Sequence, residues 1–218
     1  MNAPATLTKL KVDFVSDVVC PWCAIGLASL ETALSSVSGE IDAELHFQPF
    51  ELNPQMPPEG EDITEHLSRK YGIDATQIDR NREAIRQRGA EVGFRFGPRE
   101  RTYNTFDAHR LLHWAGLEGR QHELKRVLLV AYHSDARNPS DHEVLTVCAA
   151  QAGLDSGRAR EVLASGAYSD EVRANEQRWL TLGVNSVPAV IINDRHLISG
   201  GQPPEVFEQA LRQIAAQG

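Results

Sequence analysis

Residues 10–34 read LKVDFVSDVVCPWCAIGLASLETAL, and the spacing of their apolar side chains changes halfway along. In residues 10–15 apolar and polar side chains alternate, which is typical of a strand with one buried face. Beyond Cys23 apolar residues recur at helical spacing until Gly39, where we predict that a helix ends. Pro21 suits the first turn of that helix, because the first backbone N–H groups of a helix have no partner within it. The stretch therefore predicts a strand that leads directly into a helix.

A second extended stretch, residues 43–52, follows this helix and is broken by Asn53 and Pro54. A strand, a helix and a second strand close together in sequence form a βαβ unit, whose strands are normally parallel and whose crossover is right-handed. Residues 10–52 therefore predict the start of an α/β domain.

The pattern changes after this unit, because helical periodicity then recurs without a convincing strand. We predict helices there at residues 78–92, 106–114, 124–132, 144–152 and 160–163. The end of the chain is mixed again, with a predicted helix, an antiparallel hairpin and a last helix at residues 171–182, 189–199 and 203–214. The order of elements predicts an all-helical domain inserted into a discontinuous α/β domain, with the inserted domain at residues 61–165 and the other at residues 1–60 and 166–218.

The composition excludes several classes of protein. The chain has 218 residues but three cysteines, which are too few for a disulfide scaffold. Its 22 basic and 30 acidic side chains give a net charge of −8, which argues against general binding to nucleic acid or anionic membranes. Residues 1–17 contain no basic segment followed by an apolar run, and no apolar segment is long enough to span a bilayer. We therefore expect a cytoplasmic protein, whose thiols stay reduced unless they are used.

Cys20 and Cys23 lie three positions apart, at the predicted junction of strand and helix. A helix N-terminus favours an anion through its free N–H groups and its dipole, so Cys20 is the expected nucleophile. Cys23 lies one helical turn further on, and we expect it to be more buried and to resolve a mixed disulfide between Cys20 and a substrate. Pro21 and Trp22 then form the dipeptide of a redox motif, in which Trp22 faces out, tunes the reactivity or contacts substrate.

Two other interpretations of this pair remain open. A zinc site normally needs a second close pair of ligands, and the chain offers Cys148 and scattered histidines instead, so we expect no metal. Two buried thiols with a purely structural role are the other interpretation, since free cysteine packs well in a core. Cys148 itself lies at helical spacing from Leu145 and Ala152, which predicts a buried core thiol.

Three segments together resemble a known family. Asp17–Gly26, Val187–Pro188 and Ser199–Gln202 resemble the DsbA-like thioredoxin-fold oxidoreductases, most closely the cytoplasmic branch described as FrnE-like. The segment NTFDAHRL, residues 104–111, also resembles that branch. The resemblance covers essentially the whole chain, and it implies a thioredoxin fold with an inserted helical domain and a thiol-disulfide oxidoreductase acting on protein or small-molecule thiols and disulfides. It implies no required cofactor.

The resemblance also implies that Val187–Pro188 is a cis peptide beside the two cysteines. The sequence alone leaves this bond trans, because only about 5–6% of X–Pro bonds in folded proteins are cis. A cis-proline there exposes the backbone N–H and C=O of Val187 to an extended substrate chain. Without the resemblance, Pro188 is interpreted as the start of a strand.

A related branch, the kappa-class glutathione transferases and 2-hydroxychromene-2-carboxylate isomerases, shares the inserted helical domain and binds glutathione. Those proteins typically place serine where Cys20 stands, so the two cysteines favour redox chemistry here. Glutathione remains a candidate redox partner or substrate, a glutathione-dependent transferase or isomerase is the alternative function, and a homodimer is compatible with that branch. A peptide-binding module without catalysis is a third hypothesis.

Several further residues are candidates for the cleft around the cysteines. Asp17 is interpreted mainly as a turn or capping residue and otherwise as an electrostatic modifier of the thiols. His109 either faces the cleft or is a structural histidine of its helix. The remaining candidates come from the segment near the end of the chain and are Ser199, Gly200 and Gln202.

Overall fold

The computed structural model of the chain describes residues 7–217, so residues 1–6 and Gly218 of the predicted α/β domain lie outside the described range. Its helices and strands follow one another in the order β1 (Thr8–Ser16), α1 (Pro21–Ser36), β2 (Ile41–Pro49), β3 (Glu61–Asp62), α2 (Ile63–Tyr71), α3 (Ala75–Glu91), β4 (Arg101–Thr102), α4 (Phe106–Leu117), α5 (Gln121–His133), α6 (His142–Gln151), α7 (Ser156–Ser165), α8 (Ser169–Thr181), β5 (Ala189–Ile192), β6 (His196–Ser199) and α9 (Pro204–Ala215). None of the described helices has the length and apolar character that crossing a membrane requires.

The main sheet has the strand order β2-β1-β5-β6. β1 and β2 are parallel, β5 runs antiparallel to β1, and β6 runs antiparallel to β5. The hairpin turn at Asn193 and Asp194 has φ values of 52° and 55°, which suit the turn that matches the twist of a tight hairpin. The βαβ unit, the hairpin and the α/β fold class with a helical insertion are confirmed.

The alternating pattern of β1 places its side chains in two layers. Phe14 is fully buried and shares a cluster with Leu30 of α1 and Phe207 of α9 on one face of the sheet. Val15 points to the other face, where it packs with Trp179 of α8. Burial of each large apolar side chain contributes about 1.5–3 kcal/mol to folding, so both layers hold β1, and with it the turn that follows, in place.

A second cluster lies among α4, α5, α6 and α7. Cys148 is fully buried in it, which confirms that this thiol is a core residue. The boundaries of the inserted domain, residues 61–165, remain a prediction.

The sequence prediction missed α2, β3 and β4. β3 and β4 pair over two residues each, Glu61–Asp62 and Arg101–Thr102, which is too short for an alternating pattern to be visible. α2 is mainly polar, and Asp62 caps its start, because the carboxylate of Asp62 accepts hydrogen bonds from the N–H groups of Thr64 and Glu65. The predicted end of α1 at Gly39 was three residues late, since the helix ends at Ser36.

Candidate active site

The thiol of Cys20 lies at the start of α1. Cys20 is the capping residue of the helix, with extended backbone angles of −84° and 115°, and Pro21 follows it in the first turn. The N–H of Cys23 donates to the carbonyl of Cys20 at 3.1 Å, so the helix begins directly behind the first thiol. Cys20 is 4% exposed and Cys23 is wholly buried, and both are free thiols. Cys20 therefore lies at the end of the helix where the dipole favours an anion.

A loop from the far end of the chain meets Cys20. The Val187–Pro188 peptide bond is cis, and the thiol of Cys20 donates to the carbonyl of Val187 across 3.7 Å. The carbonyl of Pro188 in turn accepts from the N–H of Gly200 at 2.8 Å. The structure thus brings two sequence-predicted segments together at Cys20, whereas binding of substrate by Val187 and Pro188 remains a prediction.

Two glycines permit this close packing. A Cβ atom on Gly26 would lie 3.0 Å from Cγ of Pro188, and one on Gly201 would lie 2.9 Å from the carbonyl oxygen of Trp22. The Trp22 side chain itself is 40% exposed, so it faces out as expected. The sequence analysis did not identify Gly26 and Gly201 as site residues, because the need for a glycine appears only when two distant segments touch.

The candidates Ser199, Gly200 and Gln202 form one turn. The side-chain amide of Gln202 donates to the carbonyl of Ser199 at 2.8 Å, and its backbone N–H donates to the carbonyl of Gly200 at 2.9 Å. Gly200 has a φ of 82°, which L side chains rarely adopt. These contacts shape the turn that carries Gly201 against α1.

Asp17 lies buried under the turn between β1 and Cys20. Its carboxylate accepts a hydrogen bond from the N–H of Leu52 at 2.7 Å and a longer one, 3.4 Å, from the N–H of Val19. Nε2 of His109 lies 3.6 Å from the same carboxylate. Burial raises the pKa of Asp17, but His109 and the Leu52 N–H outweigh it, so the pKa lies below its usual value. Asp17 therefore fits both interpretations, as a turn residue and as a charge near the thiols.

His109 is a buried residue of α4, 3% exposed. Its Nε2 lies 3.1 Å from the carbonyl oxygen of Phe50, which can only accept, so Nε2 carries the proton. Through Asp17 and Phe50 the ring joins α4 to the segments that follow β1 and β2. These contacts favour the structural interpretation of His109.

α5 contributes two buried bases that the sequence analysis missed. His133 is wholly buried and donates from Nε2 to the carbonyl of Val18 at 2.9 Å, just ahead of Cys20. Lys125 is also wholly buried, and within the described residues its Nζ has no hydrogen-bond partner. The sequence does indicate that Lys125 is buried, because Lys125 lies four positions before the apolar Leu129 and therefore on the same helix face.

Burial dominates the ionisation of these groups. It holds the pKa of Lys125 below its usual value and, with the positive charge of Arg99, the pKa of His133 well below 6.5. Burial and the neighbouring Cys20 side chain raise the pKa of Cys23 well above its usual value, and the charge of Lys125 acts in the opposite direction. His133 is therefore neutral in the folded protein, and Cys23 holds its proton.

The neutral state of His133 makes stability depend on pH. The unfolded chain takes up a proton on His133 below about pH 6.5 while the folded chain does not, so the free energy of unfolding falls as the pH drops through this window. Between pH 7 and pH 5.5 this one group removes about 1 kcal/mol. Urea unfolding of the wild type and of His133→Gln at both pH values measures the effect: the variant should lose about 1 kcal/mol less. Equal losses in both proteins would show that His133 is not held neutral.

The described residues contain no group of three or more histidine, cysteine, aspartate or glutamate side chains placed to hold a metal ion.

Comparison with known proteins gives consistent matches over most of the chain. A family model described as DSBA-like thioredoxin domain matches residues 11–212. A solved structure of a probable DsbA oxidoreductase from Streptomyces coelicolor is 36% identical, with a TM-score of 0.88 over 94% of this chain and 89% of that one. An uncharacterized Bacillus subtilis protein, YwbO, is 29% identical over 90% of this chain and 92% of its own length.

The cytosolic disulfide reductase DsbM from Pseudomonas aeruginosa, solved with GSH, shares the fold. Its TM-score is 0.62 at 16% identity, over 93% of this chain and 98% of that one.

Proposed function

The chain belongs to the DsbA-like thioredoxin family, and from this premise we propose that it is a thiol-disulfide oxidoreductase with Cys20-Pro21-Trp22-Cys23 as its redox centre. The observation that carries the proposal is the position of Cys20 at the helix start, 3.7 Å from the Val187 carbonyl, with Cys23 buried one turn behind it. A nucleophilic thiol backed by a second thiol is the arrangement that disulfide exchange requires.

The proposed reaction has two steps. The thiolate of Cys20 attacks one sulfur of a substrate disulfide, a bond forms between them, the substrate S–S bond breaks, and the first substrate thiolate leaves and takes up a proton. Cys23 then loses its proton and attacks Sγ of Cys20, so that the protein disulfide forms and the second substrate thiolate leaves. Two electrons pass from the pair to the substrate. The reverse sequence oxidises a substrate dithiol.

The substrate is proposed to lie along the loop before β5. The backbone N–H and C=O of Val187 would pair with an extended chain whatever its side chains are, so the site would accept protein thiols and disulfides generally. Trp22, two residues after Cys20, is half-exposed, and its ring would offer an apolar contact to the substrate.

Glutathione is the proposed low-molecular-weight partner. The two cysteines carry the electrons themselves, so the reaction needs no cofactor, and two glutathione molecules would restore the dithiol form. We propose a cytoplasmic location, where glutathione keeps thiols reduced. Whether the protein acts as oxidant or reductant depends on its potential relative to this pool, where about 30 mV corresponds to about 1.4 kcal/mol.

Trapping of the mixed disulfide tests the proposal. Cys23→Ser incubated with oxidised glutathione should gain one glutathionyl adduct on Cys20, seen by intact mass and peptide mapping, because the second thiol can no longer release it. The wild type should instead form its internal disulfide. Absence of any adduct on Cys20 would contradict the proposal. Glutathione conjugation or isomerisation that survives in Cys23→Ser and is lost in Cys20→Ser would favour the alternative, a glutathione-dependent transferase or isomerase.

A further inference from the structure

One face of α5 packs against β2 and against the turn that carries the cysteines. Four side chains lie on this face at intervals of four residues, and they are Gln121, Lys125, Leu129 and His133. The amide of Gln121 accepts from the N–H of Phe47 at 2.9 Å and donates to its carbonyl at 3.1 Å, which fixes one end of the helix on β2. At the other end His133 donates to the Val18 carbonyl. Leu129, between them, packs in the cluster that contains Cys20 and Cys23. Lys125 therefore lies between β2 and the two cysteines.

Lys125 makes no side-chain hydrogen bond in the part of the chain that the structure describes, whereas Gln121 and His133 each make at least one. A wholly buried, unpaired ammonium costs several kcal/mol, and burial accordingly favours the neutral amine. The acidic groups that act on it are the thiols of Cys23 and Cys20 and the carboxylate of Asp17. Lys125 is thus a base held out of water beside two thiols.

In the proposed reaction the thiol of Cys23 must lose its proton, and the reaction as written names no group that accepts it. Cys23 is wholly buried, and it must become a thiolate before it can attack Cys20. Asp17 accepts from the N–H of Leu52, and His133 donates from Nε2 to the Val18 carbonyl. Nδ1 of His133 has no partner among the described residues, but burial and the charge of Arg99 hold the pKa of this ring well below 6.5, which makes it a weak acceptor. Lys125 is the remaining basic side chain whose charge acts on Cys23.

A cavity of about 420 Å³ reaches Lys125 from another side of the molecule. It lies between β2, α4 and α5, and His109 borders it together with Lys125. The other ionisable residues among those that line it are Glu44, His46, His113, His122 and Glu123. Trp22, Val187 and Pro188 do not border it, so a proton could leave through this cavity without passing a bound substrate.

We propose that Lys125 is the proton acceptor for Cys23, an assignment that rests on the proposed function. The neutral amine takes the proton of the Cys23 thiol, and the resulting ammonium stabilises the thiolate while it attacks Sγ of Cys20. The ammonium then releases the proton by way of the cavity, and the departing substrate thiolate takes up a proton from solvent. In the oxidative direction the ammonium returns a proton to Cys23. The inserted helical block thereby takes part in the chemistry of the other domain.

Reaction with 5,5′-dithiobis(2-nitrobenzoate) separates the two steps in a stopped-flow experiment. Attack by Cys20 releases one nitrothiolate, and attack by Cys23 on the mixed disulfide releases the second. In Lys125→Met the first release should stay within about twofold of the wild-type rate. The second release should slow at least about tenfold at pH 7, because a nearby positive charge lowers the pKa of a thiol such as Cys23 by about one unit or more. The deficit should shrink as the pH is raised towards 9, because hydroxide then removes the Cys23 proton.

Leu129→Met is the matched control, because it alters packing beside the cysteines without changing charge. Its second release should be unchanged within about twofold. Lys125→Met should also unfold at a higher urea concentration than wild type, because it removes a buried amine that has no hydrogen-bond partner among the described residues, whereas loss of a structural residue would lower stability. Lys125→Gln serves as a second variant with the same kinetic expectations if Lys125→Met does not fold.

The outcomes separate this inference from the proposed function. Three results would overturn the role of Lys125. The second release could stay within about threefold of wild type in the Lys125 variants, Leu129→Met could slow it equally, or the slowing could be independent of pH. Absence of the first release in the wild type would instead overturn the proposed function.

Discussion

Cys20→Ser is expected to reduce the turnover of a protein disulfide to the uncatalysed rate. A serine hydroxyl cannot form the mixed disulfide on which both steps depend, and it is not ionised at neutral pH. Reduction of insulin by the protein, with glutathione as the electron source, measures this loss.

Cys148→Ala is the matched control for this prediction. Cys148 is the third free thiol, but it is buried in the cluster of the helical block, so its loss should leave turnover unchanged within about twofold. Turnover by Cys20→Ser above about a tenth of the wild-type rate would show that Cys20 is not the nucleophile.

Asp17→Ala is expected to cause the largest loss of stability, about 3–5 kcal/mol, because it breaks a buried polar network and leaves its partners unpaired. The N–H of Leu52 loses an acceptor at 2.7 Å, and Nε2 of His109 loses the carboxylate at 3.6 Å. For a chain of this size the loss lowers the melting temperature by about 6–20 °C. Urea unfolding at pH 7 provides the free energy.

The effect of Asp17 should also depend on pH. The pKa of Asp17 is lowered in the folded protein, so its ionised form stabilises the fold at any pH above the unfolded-state pKa of 3.8. This contribution is lost as the pH falls through the folded-state pKa. The difference in the free energy of unfolding between wild type and Asp17→Ala should therefore become smaller in strong acid. Asp42→Ala removes an exposed carboxylate of β2 and should change stability by no more than about 0.5 kcal/mol. Similar losses in both variants would contradict the role of Asp17.

The elements that place the two cysteines were predictable because their patterns are strong and local. The alternation in residues 10–15 and the helical spacing after Cys23 each continue long enough to identify a strand and a helix. The hairpin followed from the short apolar run 189–192 and from Asn193-Asp194, a pair that accepts positive φ. By contrast, α2 has too few apolar residues to show a buried face.

The side-chain environments around the cysteines were not predictable in the same way. His109 could be placed on a helix, but its orientation depends on Phe50 and Asp17, which are remote in sequence. Lys125 lies in the apolar pattern of α5, yet long lysine side chains usually carry their charge out to water, and the packing of β2 and the cysteine turn prevents that here. Such burial is a property of the assembled fold.

The measurement that tests the central claim most directly is the redox equilibrium of Cys20 and Cys23 in a series of glutathione buffers. We expect one two-electron transition, followed by mass after alkylation, in which the reduced protein gains two labels that map to Cys20 and Cys23. In Cys148→Ala the transition should still involve two electrons. In Cys20→Ser the transition should be absent. A pair that never forms its internal disulfide across the whole range of buffers would contradict the assignment of this protein as a thiol-disulfide oxidoreductase.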